Sequence, residues 1–143
     1  MSSNITQENF SIIIPCYNER DNIAGLVNEI KLSLQEFINY EIIIIDDGST
    51  DNLSEDYASL KNNNKFLKII SHNKNLGQSK SILSGIHSSK YNVIVTIDGD
   101  GQNNPSDIPK LLNLFFQNKA VSLVGGIRLK RKDSLIKRYS SLI

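Results

Sequence analysis

The sequence predicts an α/β protein with a doubly wound, mostly parallel sheet. From residue 10 onwards, short runs of β-branched apolar residues alternate with stretches whose apolar residues recur at helical spacing. Runs such as the four isoleucines at 42–45 are apolar on both faces, which is typical of parallel strands covered by helices on each side. This alternation builds right-handed crossovers, so we expect the strand order 3-2-1-4.

The first half of the chain predicts three strands and two helices. The strands are expected at residues 10–14, 42–45 and 66–70. Pro15 is expected to end the first strand. Residues 21–38 then place apolar side chains at helical spacing, which predicts a helix with one buried stripe. Ser49 or Thr50 can cap a second helix that runs towards Leu60.

The second half continues the alternation. Asn75, followed three residues later by Gln78, resembles a capping box for a helix at 76–88. Asn104, with Pro105 at the first helical position, is a strong start signal for another helix. Further strands are predicted at 93–97 and 120–124, and the segment 134–143 looks like the start of a last helix. The run 93–97 is apolar on both faces, so we interpret it as a fully buried strand.

Length and composition indicate one domain over residues 10–143, preceded by a poorly ordered N-terminus at 1–9. With 16 basic and 15 acidic residues, the net charge of +1 argues against nucleic-acid binding. Cys16 is the only cysteine, so the chain forms no internal disulfide, which fits a reducing compartment. We see no signal peptide and no apolar run of the ~20 residues that span a membrane, so we expect a cytoplasmic protein.

Acidic residues follow two of the predicted strands. Asp98 and Asp100 come directly after the fourth strand, and Asp46 and Asp47 follow the second. In a 3-2-1-4 sheet these strand ends meet at one edge, where open α/β sheets bind ligands. Two carboxylates one residue apart can hold Mg²⁺ or Mn²⁺ that also binds phosphate oxygens, and Gln102 adds an amide oxygen within reach.

Several side chains near this edge have two interpretations. Tyr17 either stacks on a nucleobase or packs under its loop, and Asp47 can accept a base N–H or a ribose hydroxyl. We interpret Asp46 as the cap of the turn at Gly48. The two histidines, His72 and His87, are isolated in the sequence, which favours ordinary structural positions for both.

Four motifs together resemble the family-2 glycosyltransferases with the GT-A fold, the nucleotide-diphospho-sugar transferase type. They are IPCYNE at 14–19, IDDGSTD at 45–51, NLGQ at 75–78 and IDGDGQNNP at 97–105. The Asp-x-Asp-x-Gln form and the basic run near the end of the chain are most similar to the dolichol-phosphate mannose synthase branch, whose bacterial relatives use undecaprenyl phosphate.

The resemblance implies roles for individual residues. The nucleoside would be held by Pro15, Tyr17, Glu19 and Asp47. The metal would be held by Asp98, Asp100 and Gln102, with Asp98 and Gly99 also near the ribose and diphosphate. Arg128 matches the family's arginine after strand 5, and Arg131 or Arg138 matches its later phosphate-binding basic residue. Asp100 and Arg128 would therefore be the catalytic pair.

The reaction implied by the resemblance is the inverting transfer of a sugar from a GDP- or UDP-sugar to a polyprenyl phosphate. Domains of this family are longer than this chain, so we expect an N-terminal part with an incomplete sheet that binds the donor. The missing sheet edge makes a homodimer reasonable, and the basic run suits peripheral contact with the cytoplasmic face of a membrane.

A receiver-type signalling domain is the alternative, with Asp98 as phosphoacceptor. It leaves residues 1–45 unexplained and lacks a strand-end lysine at a fitting distance. A dehalogenase-like phosphatase is disfavoured by Gln102, an EF-hand by Asn103 at the position of the turn glycine, and a dinucleotide site by the absence of G-x-G-x-x-G after the first strand.

Overall fold

The computed structural model describes residues 4–126 and contains a four-stranded parallel sheet flanked by helices. The strands are β1 (Phe10–Cys16), β2 (Tyr40–Asp46), β3 (Leu67–Ser71) and β4 (Ile94–Thr96). The α-helices are α1 (Arg20–Ser33), α2 (Tyr57–Asn62), α3 (Gln78–Ser88) and α4 (Ile108–Gln117). Single 3₁₀ turns lie at Ile5–Gln7, Leu53–Asp56 and Pro105–Asp107.

The sheet confirms the predicted fold class and strand order. Its order is β3-β2-β1-β4, and all three pairings are parallel. Ile12 of β1 pairs with Ile42 of β2 and with Val95 of β4, so β1 lies at the centre. The carboxyl ends of β1, β2 and β4 consequently meet at one edge of the sheet.

Alternating side chains of the central strands supply two apolar layers. Ile12 and Ile14 face the larger core together with Ile23 of α1 and Leu112 of α4. Ile13 faces the smaller layer on the opposite side with isoleucines of β2. Burying one such side chain contributes about 1.5–3 kcal/mol to stability. These isoleucines therefore fix the positions of the strand ends relative to one another.

Several predicted element ends were wrong. Strand β1 continues through Pro15, because its ladder with β4 ends at Ile13 and the missing proline N–H is not needed there. Helix α1 ends at Ser33 rather than residue 38. Before β1, Asn4 caps the 3₁₀ turn Ile5–Gln7.

Two predictions about the later strands were also wrong. Strand β4 is not fully buried: Ile94 and Val95 are half-buried and Thr96 is exposed. Within residues 4–126 it pairs only with β1, so its other edge is open. Residues 120–124 form no strand, because within the described part of the chain they have no partner strand, and Leu123 is 87% exposed.

Candidate nucleotide-sugar site

The loops after β1, β2, β3 and β4 surround a cleft of about 380 Å³. The residues that line this cleft are Pro15, Cys16, Tyr17, Glu19, Asp47, Asn75, Gly77, Gln78, Ser81, Asp98, Gly99 and Asp100. Four of these side chains are acidic and none is a lysine or arginine, so the described wall of the cleft carries negative charge. A divalent cation would relieve the mutual repulsion of these carboxylates.

The structure brings most of the predicted site residues together. The residues Tyr17, Glu19, Asp47, Asp98 and Asp100 line the cleft, and so do Pro15 and Gly99. Gln102 is exposed and does not line the cleft. The predicted phosphate-binding residues Arg128, Arg131 and Arg138 lie outside the described residues.

Reciprocal hydrogen bonds join the loop after β1 to the loop after β2. The Asn18 N–H donates to Ser49 Oγ at 3.0 Å, and the Thr50 N–H donates to Asn18 Oδ1 at 2.7 Å. Asn18 adopts a positive φ of 55°, a conformation that asparagine tolerates better than most residues. The prediction that Ser49 or Thr50 caps the next helix was therefore wrong. Both residues instead hold the loop that carries Tyr17.

Asp47 is buried at the inner end of the cleft and accepts three hydrogen bonds. Its Oδ1 accepts from the Leu76 N–H at 2.9 Å and lies 2.7 Å from His72 Nδ1, while Oδ2 accepts from the Gly77 N–H at 2.8 Å. Burial by itself would raise the pKa of Asp47. The hydrogen bonds from His72, Leu76 and Gly77 outweigh burial and lower that pKa, so the carboxylate is ionised at neutral pH.

His72, isolated in the sequence, has two partners in the fold and occupies an ordinary structural position, as the sequence favoured. Its Nδ1 contacts Asp47, and its Nε2 lies 2.9 Å from Ser84 Oγ on α3. The imidazole is only 11% exposed. His72 therefore belongs to the hydrogen-bond network directly behind the cleft.

Asp46 caps the turn at Gly48, as predicted. Its Oδ1 accepts from the Ser49 N–H at 2.9 Å, and its Oδ2 accepts from the Tyr57 hydroxyl. The Tyr57 hydroxyl also lies 2.8 Å from Ser71 Oγ. Asp46 thus stabilises the loop and is absent from the cleft wall.

Asp98 and Asp100 flank Gly99 on one side of the cleft. Asp98 Oδ1 accepts from Gln78 Nε2 at 2.8 Å, and Asp100 Oδ1 accepts from the Gln102 N–H at 3.0 Å. The predicted capping box at Asn75 was wrong: α3 begins at Gln78 without a side-chain cap, and the Gln78 amide reaches Asp98 instead.

The donor set of the cleft fits a divalent ion that shares its coordination with a bound ligand. Asp98 and Asp100 each keep a second carboxylate oxygen beyond the hydrogen bonds above. Among residues 4–126 no group of three or more histidine, cysteine or acidic side chains could hold a metal. Mg²⁺ is commonly held by one or two carboxylates together with substrate phosphates and water, which matches this pair.

Cys16 lines the cleft but is unsuited to nucleophilic chemistry. Burial, reinforced by the negative charge of Asp46 and Asp51, raises the pKa of the Cys16 thiol to about 12. The thiolate is the reactive form of cysteine, so this thiol is inert at neutral pH. It acts as a small apolar filler beside the end of β1.

The model of the family described as "Glycosyl transferase family 2" matches residues 11–143. The chain belongs to glycosyl transferase family 2. An undecaprenyl-phosphate 4-deoxy-4-formamido-L-arabinose transferase of Yersinia pestis (strain Pestoides F) is 34% identical to it over 143 residues, which is 99% of the chain and 43% of that relative. The chain therefore spans less than half the length of this relative.

Solved structures place this family 2 chain in the expected fold. The Mycobacterium tuberculosis glucosyl-3-phosphoglycerate synthase in complex with Mn²⁺, UDP and phosphoglyceric acid matches with a TM-score of 0.65 at 18% identity, over 79% of this chain and 40% of that one. The Pyrobaculum calidifontis mannosyltransferase in complex with GDP-Man and Mn²⁺ matches with a TM-score of 0.57 at 17% identity, over 66% of this chain and 28% of that one. The resemblance to GT-A glycosyltransferases is thereby confirmed for the fold.

Sequence reasoning missed two members of the site in this family 2 chain, His72 and Gln78. Each side chain contacts a residue that is distant in the sequence: His72 lies 25 residues from Asp47, and Gln78 lies 20 residues from Asp98. The predicted strand order offered a signal for His72. A histidine directly after β3 lies beside the end of β2, where Asp47 is found.

None of the described helices combines the length and the apolar character that crossing a membrane requires.

Proposed function

We propose that this chain carries the donor-binding half of an enzyme that transfers a sugar from a nucleotide diphosphate sugar to a polyprenyl phosphate, with inversion at the sugar carbon. One observation carries the proposal. Three of the family motifs supply Tyr17, Glu19, Asp47, Asp98 and Asp100, and these five residues line a single cleft. The Yersinia relative is an undecaprenyl-phosphate sugar transferase, which supports the acceptor class.

The nucleoside occupies the side of the cleft nearest β1 and β2 in this proposal. The Tyr17 side chain is 44% exposed, so its ring is available to stack on a base. Asp47 is an ionised acceptor, and three of its roughly four lone-pair positions are already used. One position remains, which suits the single ring N–H of uracil better than the adjacent N–H groups of guanine.

In this proposal Asp98 and Asp100 hold Mg²⁺ or Mn²⁺, and the Gln102 side chain supplies a third oxygen ligand. The bound ion would neutralise charge on the diphosphate leaving group. Arg128, with Arg131 or Arg138, would bind phosphate oxygens. A phosphate acceptor is already ionised at neutral pH, so positioning and charge stabilisation can carry the transfer without a strong general base.

Calorimetric titration of the 143-residue chain with UDP and GDP, with and without Mn²⁺, tests this proposal. We expect Mn²⁺-dependent binding, with UDP binding more tightly than GDP. Asp100→Ala should weaken binding by about tenfold or more, because it removes a charged ligand of the ion. Asp107→Ala is the matched control, since Asp107 is an exposed acidic residue that pairs with Lys110 away from the cleft.

Two results would contradict the proposal. One is the absence of UDP and GDP binding in the presence of Mn²⁺. The other is covalent labelling of Asp98 by acetyl phosphate without nucleotide affinity, which would favour a receiver-type domain.

A further inference from the structure

A chain of hydrogen bonds links three structural elements behind the cleft. Asp47 follows β2, His72 follows β3, and Ser84 lies in α3. The distances are 2.7 Å from Asp47 Oδ1 to His72 Nδ1 and 2.9 Å from His72 Nε2 to Ser84 Oγ. The Asp47 and His72 side chains are only 5% and 11% exposed, so water competes little for these contacts.

The ionised carboxylate of Asp47 determines which group donates and which accepts in each of these two hydrogen bonds. An ionised carboxylate can only accept, so His72 Nδ1 carries a hydrogen and donates it. In the neutral ring Nε2 is then an acceptor, and the Ser84 hydroxyl donates to it. Ser84 thus orients the ring, and the ring orients the carboxylate.

We propose that His72 is a positioning residue for base recognition, acting through Asp47, with Ser84 holding the imidazole in place. The inference rests on the proposed nucleotide site. The Leu76 and Gly77 N–H groups contact Asp47 from the end of the β3–α3 loop, whereas His72 contacts it from the beginning of the same loop, next to β3. Without the donor at Nδ1 only the Leu76 and Gly77 N–H groups hold the carboxylate, and Oδ1 gains a second free lone pair. The lone pair that faces the cleft is then less narrowly directed.

A purely structural role makes a different prediction. If His72 only ties β3 to α3, its replacement changes the stability of the fold and reduces the affinity for all nucleotides by the same factor. If His72 positions Asp47, its replacement selectively reduces the preference for bases that carry a ring N–H. The pairs UDP against CDP and GDP against ADP isolate this property, because cytosine and adenine have a lone pair where uracil and guanine have a hydrogen.

Two conservative variants separate the contacts of the imidazole. In His72→Asn the amide nitrogen takes the place of Nδ1, so the donor to Asp47 is kept and the contact with Ser84 is lost. In His72→Gln the amide reaches the place of Nε2, so the contact with Ser84 is kept and the donor to Asp47 is lost. His87→Gln is the matched control, because His87 is an exposed histidine of α3 outside the cleft.

The affinities of the four nucleotides are measured by calorimetry in Mn²⁺, and the fold of each variant is checked by thermal unfolding. We expect His72→Gln to lower the UDP-to-CDP preference by about tenfold, the factor that one charged hydrogen bond carries. His72→Asn and His87→Gln should keep that preference within about threefold.

The outcomes distinguish this inference from the proposed function. If the unmodified chain binds no nucleotide, the proposed function fails. If it binds nucleotides without preferring a ring N–H, or if His72→Gln and His72→Asn change that preference equally, the positioning role of His72 is overturned while nucleotide binding stands.

Discussion

At the scale of single residues, Glu41 shows how a buried charge is held in this fold. Its side chain lies at the amino end of β2 and is 8% exposed. It accepts from Ser11 Oγ at 2.7 Å and from the Lys90 N–H at 2.5 Å, and it pairs with Lys68 Nζ at 2.9 Å. Burial by itself would raise the pKa of Glu41, but these contacts outweigh burial and lower it.

This lowered pKa predicts how stability depends on pH. The folded-state pKa of Glu41 lies below the ordinary value of 4.5, so its contribution is complete above that pH and is lost as pH falls through the folded value. Asp47, whose pKa is also lowered, contributes with the same sign. We therefore expect the free energy of unfolding in urea to decrease below pH 4.5, and Glu41→Gln to weaken this decrease.

At neutral pH Glu41→Gln should cost about 1–3 kcal/mol, because the introduced amide turns an NH₂ group towards Lys68. Glu29→Gln, on the exposed face of α1, is the control. An unchanged pH profile in Glu41→Gln would contradict this account.

Residue chemistry was predictable where one motif contained the whole interaction. The turn between Asp46 and Ser49 is local, and it was identified correctly. The environment of His72 depends on β2, β3 and α3 together, so no local pattern indicates it. Asp47 was predicted as a nucleoside ligand, but its burial and its three donors follow only from the packed loops.

At the scale of elements, the connection after β4 is held close to β1 by Gly99. Its N–H donates to the Pro15 carbonyl at 3.3 Å. A Cβ at this position would lie 2.9 Å from Cys16 Cβ and 3.2 Å from the Pro15 carbonyl oxygen. Backbone and Cβ atoms cannot move aside as a flexible side chain can, so the loop that carries Asp98 and Asp100 must shift.

We expect Gly99→Ala to destabilise the protein by about 1–3 kcal/mol through overpacking, and to weaken Mn²⁺-dependent nucleotide binding. Gly25→Ala is the control, because nothing lies within 4 Å of a Cβ at that exposed position of α1. The control should gain up to about 1 kcal/mol from helix propensity. Chemical denaturation measures the free energy of unfolding of both variants. Equal changes in Gly99→Ala and Gly25→Ala would contradict the close contact at Gly99.

Element ends were less predictable than the elements themselves. Pro15 favoured an early end to β1, but the sheet places this residue where the ladder with β4 has already stopped. Asn75 and Gln78 matched a capping box, yet the Gln78 amide contacts Asp98 instead. In both cases the deciding partner lies in another element, and a local signal cannot include it.

At the scale of the whole molecule, the sheet order followed from alternation and handedness alone. The burial of β4 could not be predicted in the same way, because it depends on whether another strand lies beside β4. Apolar residues on both faces indicate the environment for which a strand is suited. Within residues 4–126 that environment is incomplete, since β4 has a neighbour only in β1.

Within residues 4–126 one edge of β4 has no partner strand, which predicts association between chains. An edge strand presents unpaired N–H and C=O groups, which can pair with a second chain. Ile94 and Val95 are half-buried there, so a second copy would cover apolar surface as well. We propose that the 143-residue chain forms a homodimer through this edge, and that sedimentation velocity will show a monomer–dimer equilibrium dependent on concentration.

Thr96→Lys provides the test of this interface. Thr96 is exposed on β4, and a lysine there places like charges together when two edges meet, so the dimer should weaken by about tenfold. Leu32→Lys is the control. Leu32 is a 70% exposed residue of α1, so this substitution also introduces a lysine and removes apolar surface, but away from the β4 edge. If both variants reduce association equally, general apolar contact rather than the β4 edge joins the chains, and the incomplete sheet is not the cause.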